Sequence, residues 1–309
     1  MRDKHLQTIL AVFVSFALLL AGLTVFPPLI AAFAIPVVAV AAIYGMKTLA
    51  PGLGILFLLI LFLTDWMTAL VVLLIVLVFS LVLPRAFDKQ ADPYQTVLLL
   101  TVLLLGLLGG LSLVLQYSAD IGLIQAMEMT LRETVQRQIE LIDAGGLSSL
   151  ESLNLQYNLR QALDLMLRVL PAMLFLLSFI MAMVHTIGTA KLLRFRGYGI
   201  IKAGNFNQFK LPTNILIGAL ITVAGTWILS KTGYADTEIL NLNLAVIVGI
   251  LFLVQGLAVA DCFFARRFGL LFRILVPMLL ILFLQLGPVY ILLGILDVPL
   301  KLRRRITYK

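Results

Sequence analysis

The chain has 309 residues, 62% of them hydrophobic and 12% charged, with a mean hydropathy of +1.10. Soluble domains run to about half apolar and about a quarter charged residues, so these figures exclude a water-soluble globular protein and make lipid the solvent. A net charge of +8 would suggest nucleic acid in a soluble chain. In a membrane protein, basic residues instead gather on the cytoplasmic side, and no nucleic-acid partner is expected.

A spanning helix needs about 20 apolar residues. Eight segments reach or approach that length: 6–26, 28–45, 49–64, 66–84, 96–117, 163–189, 213–230 and 243–264. The first starts basic but shows no small-residue cleavage pattern before Pro27-Pro28, and is expected to be a retained span rather than a signal peptide. Tight breaks at Pro27-Pro28, Gly45-Met46-Lys47 and Thr64-Asp65-Trp66 fold the first four spans into two antiparallel hairpins. Asp65 beside Trp66 suits a wet interface. Ala17/Ala21 and Gly106/Gly110 are small residues four apart, a spacing that permits close helix contact. This region, 1–117, is followed by the one sizeable polar stretch, 118–162.

In that stretch Ile124, Leu131, Val135, Ile139 and Ile142 lie near helical spacing, which predicts an amphipathic helix. Glu128–Arg132 and Glu133–Arg137 have the favourable i,i+4 order. Gly145-Gly146 ends the helix, and Ser148 with Glu151 gives a capping-box pattern opening a second one. With six acids and three bases, the stretch is expected to form an extracytoplasmic helical cap, the alternative being a mere connector.

The C-terminal region, 163–309, opens with Asp164 and Arg168, spaced to neutralise one another. His185 in "MAMVHTIGTAK" is either a proton-relay or ligand group or an interfacial histidine bonded to a neighbouring carbonyl. A basic loop, 190–212, follows. Asp261 sits near the end of the eighth span, and Arg266 and Arg267 lie about 140° and about 240° around the helix from it. No salt bridge within the helix is available, so Asp261 must face another element. Arg273, Lys191 and Arg194 are its candidate partners, in a structural latch or, with Gln255 and His185, in a polar site. Residues 270–300 carry Gly287-Pro288 at mid-length and are expected to form a broken helix or hairpin rather than one span. Such a hairpin places 18 of the 23 basic residues, including the tail 301–309, in the cytoplasm, with both termini there.

No phosphate loop, nucleophile elbow or zinc-protease helix occurs. One cysteine and two distant histidines make no ligand set. No cofactor, metal or enzymatic activity is expected. The fold class is therefore an all-α polytopic bundle of about eight spans with a C-terminal broken helix and an outer helical insert.

The segment "TAKLLRFRGYGIIKAGNFNQFKLP", with Phe206, Phe209, Leu211 and Pro212, resembles the loop of the YybS-like family of uncharacterised bacterial multi-pass inner-membrane proteins. "LVQGLAVA", at Gln255 and Gly256, and "GILDVPLKLRRR", at Gly294, Asp297 and Arg303–Arg305, are similar to that family's motifs, although Phe209 stands where an aromatic such as tryptophan is usual. The likeness covers about 185–309. It implies a bacterial inner-membrane protein, distantly similar to the substrate-binding subunits of energy-coupling-factor transporters. Two functions follow as expectations. One is a transporter-like subunit without its own motor, taking a small and largely apolar cargo. The other is a scaffold docking cytoplasmic or membrane partners, or anionic lipid, through Lys191, Arg194, Arg196, Arg303, Arg304 and Arg305.

Overall fold

The computed structural model describes residues 2–145, 149–198, 206–212, 214–232, 237–265 and 267–303. Among these the chain forms twelve α-helices and no strand. They are α1 (Arg2–Thr24), α2 (Ile35–Tyr44), α3 (Met46–Leu63), α4 (Trp66–Asp88), α5 (Pro93–Ala119), α6 (Leu123–Ala144), α7 (Ser149–Arg168), α8 (Leu170–Phe195), α9 (Ile215–Thr232), α10 (Thr237–Phe264), α11 (Leu270–Leu284) and α12 (Gly287–Leu300). Eight helical segments are long and apolar enough to cross a membrane: α1, Pro27–Tyr44, α3, α4, α5, α8, α9 and α10. This is the expected polytopic all-α membrane protein. Packing divides it into two compact units, Met1–Gly109 with Leu177–Asn205, and Gly110–Leu176 with Phe206–Lys309. Both are discontinuous in sequence, and α5 and α8 each contribute to both.

In the first unit, the second span is interrupted. Pro27–Ala32 is a 3-10 turn, and α2 restarts with Pro36 in its first turn. Proline lacks an N–H and its ring opposes the carbonyl four residues back, so it is best accepted where a helix begins. Val12, Val37, Val38, Leu49, Leu56, Val76, Phe79 and Leu83 are buried, while Leu58 and Phe62 point outward, as lipid-facing side chains do. Gly52 lets α3 lie on α1, since a Cβ there would meet Thr8 Cγ2 at 2.8 Å, and Gly188 admits Ile35 in the same way at 2.5 Å. Gly106 and Gly110 face open space, so the close contact their spacing offered is not made there. Asp65 caps α4: Oδ1 accepts from the Thr68 N–H at 2.9 Å and Oδ2 from the Thr68 hydroxyl at 2.6 Å. The hydroxyl bond in particular holds the Asp65 carboxyl below its ordinary 3.8.

In the second unit, α6 and α7 pair through the predicted stripe, with Ile139 buried and Ile124 left exposed. Gln156 Nε2 donates to Asp143 Oδ1 at 2.6 Å across the pair. The Glu128–Arg132 bridge forms at 2.8 Å. The expected Glu133–Arg137 bridge does not form; both residues line the groove described below. Ser148 of the expected capping box lies outside the described residues. The sixth span starts at Leu170 rather than 163, because Pro171 ends α7's hydrogen-bond ladder and forces a new helix.

Residues 270–300 are two helices, α11 and α12, separated at Gln285, whose φ of 51° lies in the left-handed region. Within α10 and α12, Gly256 and Gly294 bring backbone against backbone. A Cβ on Gly256 would meet the Tyr290 carbonyl, and one on Gly294 the Phe252 carbonyl. In lipid, where apolar surface does not drive helices together, such close contact of small residues is one source of attraction.

Candidate functional site

The chain beyond α12 turns back on itself. Pro299 lies in the last turn, and Lys301 adopts φ 49°, which returns Arg303 to Asp297. Arg303 Nε and Nη2 donate to Asp297 Oδ2 at 3.1 and 2.7 Å. Gln255 Nε2, from α10, donates to the same oxygen at 2.5 Å, and Gln255 Oε1 accepts from the Leu211 N–H at 3.0 Å. Arg303 Nη1 reaches the carbonyls of Asn207 at 3.0 Å and Phe209 at 2.5 Å. Asp297 and Gln255 are buried, as are Phe209 and Leu211 of the loop they hold. One cation, one anion and a bridging amide are thus saturated by each other and by backbone. A buried pair with its remaining donors and acceptors filled is a joint, because a half-filled one would cost several kcal/mol. The residues that carried the family likeness, Gln255, Gly256, Gly294, Asp297, Arg303 and the Phe209–Leu211 loop, converge here. Arg303 was expected to dock partners; its guanidinium is committed inward instead. Arg304 and Arg305 lie outside the described residues.

Asp261 pairs with Arg273, Nε to Oδ1 and Nη2 to Oδ2, both at 2.6 Å. The two side chains are 10% and 21% exposed. This two-pronged geometry is the strongest form of ion pair, and it ties α10 to the first turn of α11. Lys191 and Arg194, the other partners considered for Asp261, are exposed on α8 and form no ion pair among the described residues. Asp261 and Gln255 therefore belong to separate contacts rather than to one polar cavity.

His185 lies in the first unit and is fully buried. Its ring stacks on Phe79 at 4.0 Å and meets Phe33 edge-on at 6.0 Å. Nδ1 lies 2.8 Å from the Met181 carbonyl. A carbonyl only accepts, so Nδ1 carries the hydrogen and Nε2 is left with its lone pair. Nε2, with the Ser15, Ser80 and Thr189 hydroxyls, has no partner among the described residues. Among those residues no group of three or more His, Cys, Asp or Glu is placed to hold a metal.

Two features escaped the sequence. Asn243, buried in α10, bridges the α7–α8 break: Oδ1 accepts from the Ala172 N–H at 2.8 Å, and Nδ2 donates to the Arg168 carbonyl at 2.7 Å and the Ile239 carbonyl at 2.9 Å. Arg168 pairs with Glu238 at 3.1 Å rather than with Asp164. The available signal was Pro171, which orphans backbone groups that an amide must satisfy. The second feature is an open groove of about 680 Å³ between α6 and α7, lined by the apolar Val135, Ile139 and Leu163 and by the polar Arg132, Glu133, Gln136, Arg137, Glu140 and Arg160. Glu133, Arg137, Glu140 and Arg160 form no ion pair among the described residues.

The family described as "Predicted membrane protein (DUF2232)" matches residues 8–298. No curated protein matches the chain. No solved structure matches it.

Proposed function

We propose that this chain, which belongs to the DUF2232 family of predicted membrane proteins, is a substrate-capturing, transporter-like membrane subunit whose motor is a separate protein. The α6–α7 groove carries this conclusion. Its volume of about 680 Å³ falls within the range of small-molecule sites, about 300–1,000 Å³, and it sets three apolar residues, Val135, Ile139 and Leu163, among charged and polar ones in an open groove. The groove favours a cargo with an apolar body and charged ends over the largely apolar one suggested by the scarcity of polar residues in the spans. The YybS-like resemblance and its distant likeness to energy-coupling-factor subunits point the same way and suggest a bacterial inner membrane. With no catalytic motif in the sequence, we infer that the chain is not itself an enzyme.

The scaffold alternative rests on Lys191, Arg194 and Arg196, which are exposed at and just beyond the end of α8. It is weakened by the inward commitment of Arg303.

The test is extraction of the full chain with native lipid, followed by mass spectrometry of retained small molecules and proteins. The double variant Arg137→Gln, Arg160→Gln changes only exposed side chains. It is expected to release at least one small molecule that the wild type keeps. Identical small-molecule profiles would overturn the capture function. Loss of a co-purifying protein from Lys191→Gln, Arg194→Gln, with those profiles still identical, would favour the scaffold.

A further inference from the structure

In the first unit a crevice of about 200 Å³ runs between α1, α2 and the end of α8. Its walls are apolar, formed by Leu10, Val14, Pro36, Val40 and Leu192, and the polar lining residues are Gln7 and Arg196. Tyr44, the last residue of α2, donates its hydroxyl to Gln7 Oε1 at 2.7 Å. That bond brings the start of α1 to the end of α2 and leaves the Gln7 amide hydrogens free to donate. Lys4 Nζ stands 5.8 Å over the Tyr44 ring. No carboxylate lines the crevice, and neither Lys4 nor Arg196 forms an ion pair among the described residues. One end therefore gathers donors and positive charge, and the rest is hydrocarbon.

We propose that this crevice seats the head-proximal part of one acyl chain of an anionic phospholipid from the surrounding bilayer, with Arg196, Lys4 and the Gln7 amide receiving its phosphate. The volume argues for part of a larger molecule, since sites that enclose a whole drug-sized ligand span about 300–1,000 Å³. A lipid keeps its remaining length in the bilayer, the medium already around these helices. The acyl chain gains little by moving from lipid to an apolar wall, because lipid tails are as apolar as leucine. Discrimination then resides in the head, where a phosphate meets two cations and an amide, with no competing carboxylate among the described residues. The site is independent of the α6–α7 groove and does not require the capture function.

The experiment uses the full chain, purified in detergent and offered equal amounts of phosphatidylglycerol and phosphatidylcholine with the same acyl chains. Retained lipid is measured by native mass spectrometry. The wild type is expected to keep phosphatidylglycerol preferentially. Arg196→Gln and Lys4→Gln should each reduce that preference about fivefold, the effect of one basic residue near an anionic surface. Val14→Trp fills the crevice while leaving both cations, and should also lower phosphatidylglycerol retention. All three positions are exposed, so melting temperatures should match the wild type. Equal retention of the two lipids by the wild type, or an unchanged preference in Arg196→Gln, would overturn the site. Full retention in Val14→Trp would show diffuse surface attraction and overturn it too. Displacement of the lipid by inorganic phosphate alone would mean a free-anion site and overturn the lipid as occupant.

Discussion

Asp261 and Asp297 are both carboxylates in apolar helices, and their surroundings give them different weights. Asp261 sits three residues from the end of α10 with Arg273 as its ion-pair partner, and that arginine is 21% exposed. The pair is therefore not sealed inside the protein. Asp261→Asn keeps a hydrogen-bonding side chain and should be tolerated with a small loss. Asp261→Leu strands the guanidinium and should cost about 1–3 kcal/mol, read as a lower melting temperature in detergent. An unchanged melting temperature would mean that no latch exists. Asp297 is 3% exposed and receives Gln255 and Arg303 together. Asp297→Leu leaves two buried donors unmatched and should cost about 3–5 kcal/mol, clearly more than Asp261→Leu. A reversed order of the two variants would show that Asp297 is not the joint.

Among the helices, close approach is decided by what stands opposite a glycine rather than by its spacing from another. Gly106 and Gly110 have the four-residue interval but open space around them, whereas Gly256 and Gly294 lie on different helices and meet backbone atoms. Backbone cannot swing aside as a side chain can. Gly256→Ala and Gly294→Ala should each destabilise at the upper end of the overpacking range, about 1–3 kcal/mol. Gly106→Ala should be neutral or slightly stabilising, because alanine is the better helix former. Melting temperatures of the three variants compared in one detergent check this, and a destabilised Gly106→Ala would contradict it.

For the whole molecule, the expected topology places both termini in the cytoplasm. Eight crossings bring the chain back to the side on which it started. α11 and α12 have 15 and 14 residues, hence lengths of about 22 and about 21 Å, short of the roughly 30 Å hydrocarbon core. Arg303 bonds to the carbonyls of Asn207 and Phe209, which supports a return of the chain to the side of the α8–α9 loop. A reporter fused after Lys309 should be active only in the cytoplasm. A thiol at exposed Gln136, in a Cys262→Ser background, should react with an impermeant reagent in intact cells. Labelling only after lysis would put α6 and α7 inside.

By itself the sequence determined the solvent, the helical class, the number of spans and the amphipathic α6. Each of these depends on composition or on periodicity within a single segment, where hydrophobicity and the 3.6-residue repeat act locally. It also narrowed the partners of Asp261, since helical angles excluded Arg266 and Arg267. Only the tertiary structure decided which of the remaining bases answered, that Arg303 folds back on Asp297 while Gln255 joins α10 to the 206–212 loop, and that Asn243 repairs the break at Pro171. Those contacts join residues 6 to 96 positions apart. A buried donor in lipid must find an acceptor wherever the packing brings one, and the spacing of residues along one helix carries no record of what another helix will present.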